Sequence, residues 1–154
     1  MKIISHRGNI EGPNSSVENH PHQVDLALNC GFDCEIDLYY LEENFYLGHD
    51  QPTHLVPLEW LVERKNRLWI HCKSYSALNK FAEDLNQFNY FWHQNDDFTL
   101  TSTNLIWTFP GQQIGQQSIL VLPERYLSLD SIDKETLKNV YGVCTDFPSR
   151  FMTL

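Results

Sequence analysis

Residues 32–40 read Phe-Asp-Cys-Glu-Ile-Asp-Leu-Tyr-Tyr, and their alternation decides the fold. Phe32, Cys34, Ile36 and Leu38 fall on one face of an extended strand, Asp33, Glu35, Asp37 and Tyr39 on the other. Period two therefore sets Glu35 and Asp37 side by side on the same face. Two such carboxylates repel each other unless something positive lies between them. A hard divalent ion answers that need, and oxygen ligands favour Mg²⁺ or Ca²⁺. Pairing of one carboxylate with Arg7 or Lys73, with the other solvated, answers it as well.

Upstream, Lys2 to Ile4 reads as a short apolar strand that delivers His6-Arg7-Gly8 to its carboxyl end. A polar loop follows, and Ser15 or Ser16 is placed to cap a helix that keeps Val24, Leu26, Ala27 and Leu28 together and stops at Gly31. Pro21 is tolerated only in a first turn, so the helix proper can start as late as His20. Downstream, Glu42-Glu43-Asn44 turns the chain into a returning strand, Phe45 to Gly48, which ends at His49-Asp50. Leu58 to Val62 reads as a short helix. In the strand from Arg67 to Lys73, Leu68, Ile70 and Cys72 point one way and Trp69, His71 and Lys73 the other. Ser76 to Phe88 has helical spacing, and Ile132 to Val140 is the last helix candidate.

Four more strands are read at Tyr90–His93, Leu105–Phe109, Ile119–Leu122 and Val143–Phe147. Strands alternating with helices imply parallel pairing, with the polar strand ends forming one site. The expected fold is α/β, a small, trimmed TIM-like (β/α) barrel with several outer helices missing, in one domain over residues 1–154. A complete barrel takes ~250 residues, and segments 94–104 and 111–118 are too short and polar for crossover helices. Seven strands ending near His6, Asp37, Ser74, His93, Phe109, Leu122 and Phe147 should close or nearly close, with Phe45–Gly48 as an appended hairpin.

The formal charge of −9 argues against a nucleic-acid or anionic-membrane partner. It leaves room for a small anionic substrate, because a bound metal and local cations can reverse the field at one site. No apolar run approaches the ~20 residues of a membrane span, and no secretory signal is read before the first strand. Cys30, Cys34, Cys72 and Cys144 lack zinc-site spacing and read as reduced thiols of a cytoplasmic protein. A barrel stripped of helices exposes apolar strand faces, which a homodimer could cover.

His6-Arg7-Gly8, Val17-Glu18-Asn19-His20, Glu35-Ile36-Asp37, His49-Asp50 and the closing Thr145-Asp146-Phe147-Pro148 occur in an order that resembles the glycerophosphodiester phosphodiesterase family. The likeness covers residues 3–50 and 142–148; between them only the strand pattern is similar. It implies a phospholipase-C-like TIM barrel that hydrolyses a small phosphodiester with a divalent cation. His6 and His49 would then be the acid–base pair, and Glu35 and Asp37 metal ligands. Glu18 would lie near the pocket rim. Departures exist: the family's third strand carries Glu-x-Lys, where this chain has His71-Cys72-Lys73.

Histidine suits proton transfer because its pKa lies near working pH. Arg7 offers a planar fork to phosphate oxygens and Lys73 a point charge. His71 could be a third ligand, softening the site toward Mn²⁺ or Zn²⁺, or a hydrogen-bonding residue that never touches metal. His93, Glu124 and Trp107 are further pocket candidates at strand ends, although Trp92 and Trp107 read better as barrel filling than as a stacking platform. The alternative to an enzyme is a non-catalytic binding protein that keeps a pocket for a phosphorylated ligand.

Overall fold

A nine-residue strand with two unlike faces organises the sheet. The computed structural model describes residues 1–132 and 134–152. In chain order these form β1 (Lys2–His6), α1 (Pro21–Asn29), β2 (Asp33–Leu41), β3 (Asn44–Leu47), β4 (His54–Val56), α2 (Leu58–Arg64), β5 (Leu68–Cys72) and α3 (Tyr75–Glu83). Then come β6 (Tyr90–Phe91), β7 (Phe98–Leu100), β8 (Ile106–Thr108), β9 (Ser118–Val121), α4 (Lys134–Lys138), β10 (Gly142–Thr145) and α5 (Pro148–Phe151), with 3-10 turns at Pro123–Arg125 and Leu129–Ser131.

The parallel run is β8-β9-β10-β1-β2-β5-β6. Along one edge β2 pairs β1 through Asp33–Glu35 and then β3, antiparallel, through Leu38–Leu41. Its other edge carries β5, with Glu35 opposite Trp69 and Asp37 opposite His71. The expected hairpin is present, and β4 extends it by one strand that the residue pattern did not indicate.

The expected closed, trimmed TIM-like barrel is not formed: the ten strands make a mixed sheet curled into an open half-barrel. Closure would need a ladder between β6 and the β8 side. β6 has only two residues, and the chain beyond it returns as β7, which pairs antiparallel with β8. The seam is crossed by isolated hydrogen bonds in place of a ladder, among them those from Ser102 N–H to the Tyr90 carbonyl (2.8 Å), from Tyr90 N–H to Ser102 Oγ (3.0 Å) and from Thr99 Oγ1 to the Trp92 carbonyl (3.0 Å). Segments 94–104 and 111–118 hold no helix.

Alternation sorts the core into two layers. Cys34, Ile36 and Leu38 with Leu68, Ile70 and Cys72 pack under Val24 and Leu28 of α1 and Ala77 and Phe81 of α3. The inner face is filled by Trp69, Phe91 and Trp107, with Ile4, Ile119 and Cys144 beside them. Phe91 and Trp69 lie 4.5 and 6.0 Å from Trp107, centroid to centroid. Trp107 is thus barrel filling, as its strand position indicated, whereas Trp92 is exposed. Helix α1 is capped by His20, whose Nδ1 accepts from His22 N–H, and not by a serine. Ser16 is engaged elsewhere: its hydroxyl and amide both donate to Asn14 Oδ1.

Cys34, Cys72 and Cys144 are buried and Cys30 is exposed. Burial pushes the Cys72 thiol up to about 12 and that of Cys144 well above its usual value. Titration of the native chain with a disulfide reagent should give one fast thiol, absent from Cys30→Ser. Two or more fast thiols would mean that the half-barrel opens readily.

Candidate functional site

The carboxyl ends of β1, β2 and β5 converge on a cleft of about 510 Å³ whose lining includes His6, Arg7, Glu35, His49, His71 and Lys73. His6, Glu35 and His71 alternate with core residues on β1, β2 and β5, and Arg7, His49 and Lys73 follow the ends of β1, β3 and β5. His93 and Trp107 also face this cleft. Glu18 and Glu124 stand behind it as braces.

Asp37 is wholly buried, and its partners define the floor. Arg7 Nε stands 2.9 Å from Asp37 Oδ2, His71 Nδ1 3.0 Å from Oδ1, and Lys73 Nζ 3.6 Å from Oδ1. The Asn19 amide donates to Asp37 Oδ2 and accepts from Asp37 N–H, both at 2.9 Å. Burial opposes ionisation of Asp37, but the His71 contact and the Arg7 charge outweigh it and hold the carboxyl below its usual range. Glu35 is pushed the other way, by burial and then by the Asp37 charge.

His6 is oriented by a residue far away in sequence: its Nδ1 lies 2.7 Å from Asp146 Oδ1, which leaves Nε2 toward Glu35 at 4.0 Å. Burial alone would lower the His6 pKa, yet the Asp146 hydrogen bond offsets this and the value is raised. Asn9 Nδ2 donates to both Asp146 (2.8 Å) and Glu18 (3.0 Å), and Glu124 accepts from Asp146 N–H (2.8 Å). Glu18 also accepts from Arg7 Nη1 at 3.2 Å. His49 is more open, with its side chain 40% exposed and Nδ1 2.6 Å from Asp50 Oδ1.

His71 lies against two ring neighbours, 4.5 Å from the His93 ring and 5.2 Å from Phe91, both nearly parallel to it. Its Nε2 lies 3.3 Å from the His93 carbonyl. Desolvation, then the neighbouring His71 and Lys73 charges, depress His93 to about 4. Glu35, Asp37 and His71 each offer one ligand atom within 4.8 Å of the others. Bonds of roughly 2.0–2.6 Å to one cation allow such separations. Asp37 Oδ1 is buried and makes no hydrogen bond of good geometry, so these residues fit a single divalent ion.

Asn9, Asn19, Asp146 and Arg125 were not picked out by their residue type. Asn19 and Asp146 do lie inside the quoted motifs, but their roles depend on contacts 18 and 140 residues apart. Arg125 lines the cleft with no motif around it. Compared with protein-family models, curated proteins and solved structures, the chain matches none. Among the described residues no helix is long and apolar enough to cross a membrane.

Two outcomes follow from this geometry. Glu35→Gln should weaken binding of Mg²⁺, Ca²⁺, Mn²⁺ or Zn²⁺ in calorimetry far more than Glu43→Gln; a wild type that binds none of them makes the cluster an ion-pair network only. The second concerns pH. Asp146 has a lowered pKa, through its His6 hydrogen bond working against burial, so its contribution is present above 3.8 and lost as pH falls through the folded value. The raised His6 contributes fully below 6.5 and loses its share as pH rises through its folded value. Asp146→Asn should therefore destabilise the chain more at about pH 5.5 than at about pH 9 in urea unfolding; an equal loss at both would remove the ion pair from the account.

Proposed function

We propose that the chain is a metal-dependent phosphodiester hydrolase, a shortened and divergent relative of the glycerophosphodiester phosphodiesterases, acting on a glycerophosphodiester-like or other small diester. The observation that carries this reading is one cleft lined by His6, His49, Arg7, Lys73, Glu35 and His71, with Asp37 buried beneath it and completing the Glu35–Asp37–His71 cluster. Glu35, Asp37 and His71 would hold the cation, Mg²⁺ or Ca²⁺ by their oxygens, Mn²⁺ or Zn²⁺ if His71 binds. When bound, it would neutralise phosphate charge and favour the charge developing on the phosphoryl oxygens.

The protein's own residues do the rest. Arg7 and Lys73 orient phosphate oxygens from the cleft floor. One imidazole of the His6/His49 pair takes the proton of the attacking hydroxyl or water as the new P–O bond forms. The other gives a proton to the leaving oxygen as the old P–O bond breaks. Asp146 and Asn9 keep the His6 ring turned. The partner is a small phosphodiester, with no nucleic acid, because the chain is acidic. Four unpaired thiols suit a cytoplasmic setting, and Phe98 and Leu100 on β7 offer apolar surface for a homodimer.

A second reading has its own support. Arg7 and Lys73 are already engaged with Asp37, which suits a binding protein for a phosphorylated ligand without turnover.

Hydrolysis of bis(p-nitrophenyl) phosphate across the four metals, with and without EDTA, separates the two. His6→Ala and His49→Ala should each lower the turnover rate by on the order of 10²–10⁴-fold with metal affinity retained. Their combination should cost less than the product of the two. A wild type inactive on every diester with every metal, or activity that survives both changes, decides for the binding protein.

A further inference from the structure

The cleft holds one more cation than the chemistry above uses. Arg125 lines it from the 3-10 turn Pro123–Arg125, which leaves β9 through Leu122 in a left-handed conformation (φ 44°). Among the described residues its guanidinium makes no hydrogen bond or ion pair, and the residue is exposed. By contrast Arg7 is held by Glu18 and Asp37, Arg64 by Asp25 and Glu63, and Arg67 by Asp33. Its neighbour Glu124 accepts from the N–H of Asp146, the residue that holds His6, so Arg125 stands on the His6 side of the cleft, where its charge helps keep the Asp146 carboxyl low.

An apolar shelf adjoins it. Trp107, Phe109, Pro110 and Leu122 line the same cleft, and Phe109 is 41% exposed. At about 510 Å³ the space lies within the ~300–1,000 Å³ of sites that enclose whole small molecules; a phosphodiester group alone would leave much of it empty. A chain of net charge −9 does not attract anions by its overall field. A free guanidinium beside an apolar shelf is therefore a local recognition device. Asp96 lines the cleft too.

We propose that Arg125 selects diesters whose alcohol carries a second anionic group, a phosphate or a carboxylate, with the carbon skeleton of that alcohol resting on the Trp107–Phe109 shelf. This rests on the phosphodiesterase reading and adds the substrate class. Arginine suits the task because its planar fork binds either anion in a bidentate manner.

The test compares p-nitrophenyl phosphodiesters of ethylene glycol, glycolate and ethylene glycol monophosphate on the full chain. Wild type should prefer the anionic alcohols over the neutral one by about tenfold in kcat/KM, the share of one charge-assisted contact. In Arg125→Gln that ratio should fall to near one, in Arg125→Lys it should be kept in part, and in Lys138→Gln, on an exposed helix, it should be unchanged. Preference for only one anion names the group as phosphate or carboxylate and upholds the site. No preference in wild type, or a preference that survives Arg125→Gln, overturns it while leaving the phosphodiesterase reading intact. If no diester is hydrolysed, that reading falls instead, and calorimetry decides the site. Ethylene glycol bisphosphate should then bind wild type about tenfold more tightly than the monophosphate, and Arg125→Gln should erase the difference; equal binding to wild type overturns the proposal.

Discussion

Asp37 is inaccessible to water and Glu35 is 2% exposed, two positions apart on β2. Ionised carboxylates in such a place cost several kcal/mol each unless paired and hydrogen-bonded. The surrounding loops are shaped by that demand. Arg7 and Asn19 both hold left-handed backbone, φ 54° and 58°, in which non-glycine residues lose on the order of 1–3 kcal/mol. Arg7 N–H donates to the Glu35 carbonyl and Asn19 N–H to the Arg7 carbonyl, each at 3.0 Å. The strained backbone is thus tied directly to the strand whose charges it answers.

The same strand fixes the register of the sheet. Cys34, Ile36 and Leu38 are fully buried against α1 and α3 on the face opposite the carboxylates. A slip of one residue would drive Glu35 and Asp37 into that apolar layer and bring its hydrophobic side chains to the cleft. Core packing and site geometry therefore enforce one alignment, and β5 follows it by setting Trp69 and His71 opposite Glu35 and Asp37.

This explains what could be read from residue order and what could not. Period two in residues 32–40 and 67–73 assigned both faces of β2 and β5 correctly, because alternation is a local property of a strand half buried on each side. The Glu35–Asp37–His71 grouping followed from it. Closure of the barrel did not, since it depends on whether a strand as short as Tyr90–Phe91 finds a partner across the seam, which no local pattern records. The reversal of Phe98–Leu100 against β8 lay in a polar, irregular stretch without alternation of its own. Asp146 was visible inside its Thr-Asp-Phe-Pro run, but its grip on His6 arises only when β10 pairs with β1.

His71 stands where the resembling family has a glutamate, and its surroundings bear on what fills the space between the carboxylates. A third carboxylate would add negative charge to a buried pair already answered by Arg7 and Lys73; an imidazole does not. Stacking on His93 and Phe91 fixes the plane of the ring. Donation from Nε2 to the His93 carbonyl requires a proton on that nitrogen. In the neutral ring Nδ1 then carries only a lone pair, directed at Asp37 Oδ1 3.0 Å away and at Glu35 Oε1 4.0 Å away. Lone pair facing carboxylate is repulsive unless a second ring proton or a cation intervenes. An ordered outer carbonyl that holds the proton on the far nitrogen is also the usual support of a metal-binding histidine. The His93 carbonyl supplies that support here, so an imidazole at this position directs a donor atom at the two carboxylates without adding a third negative charge to be buried with them.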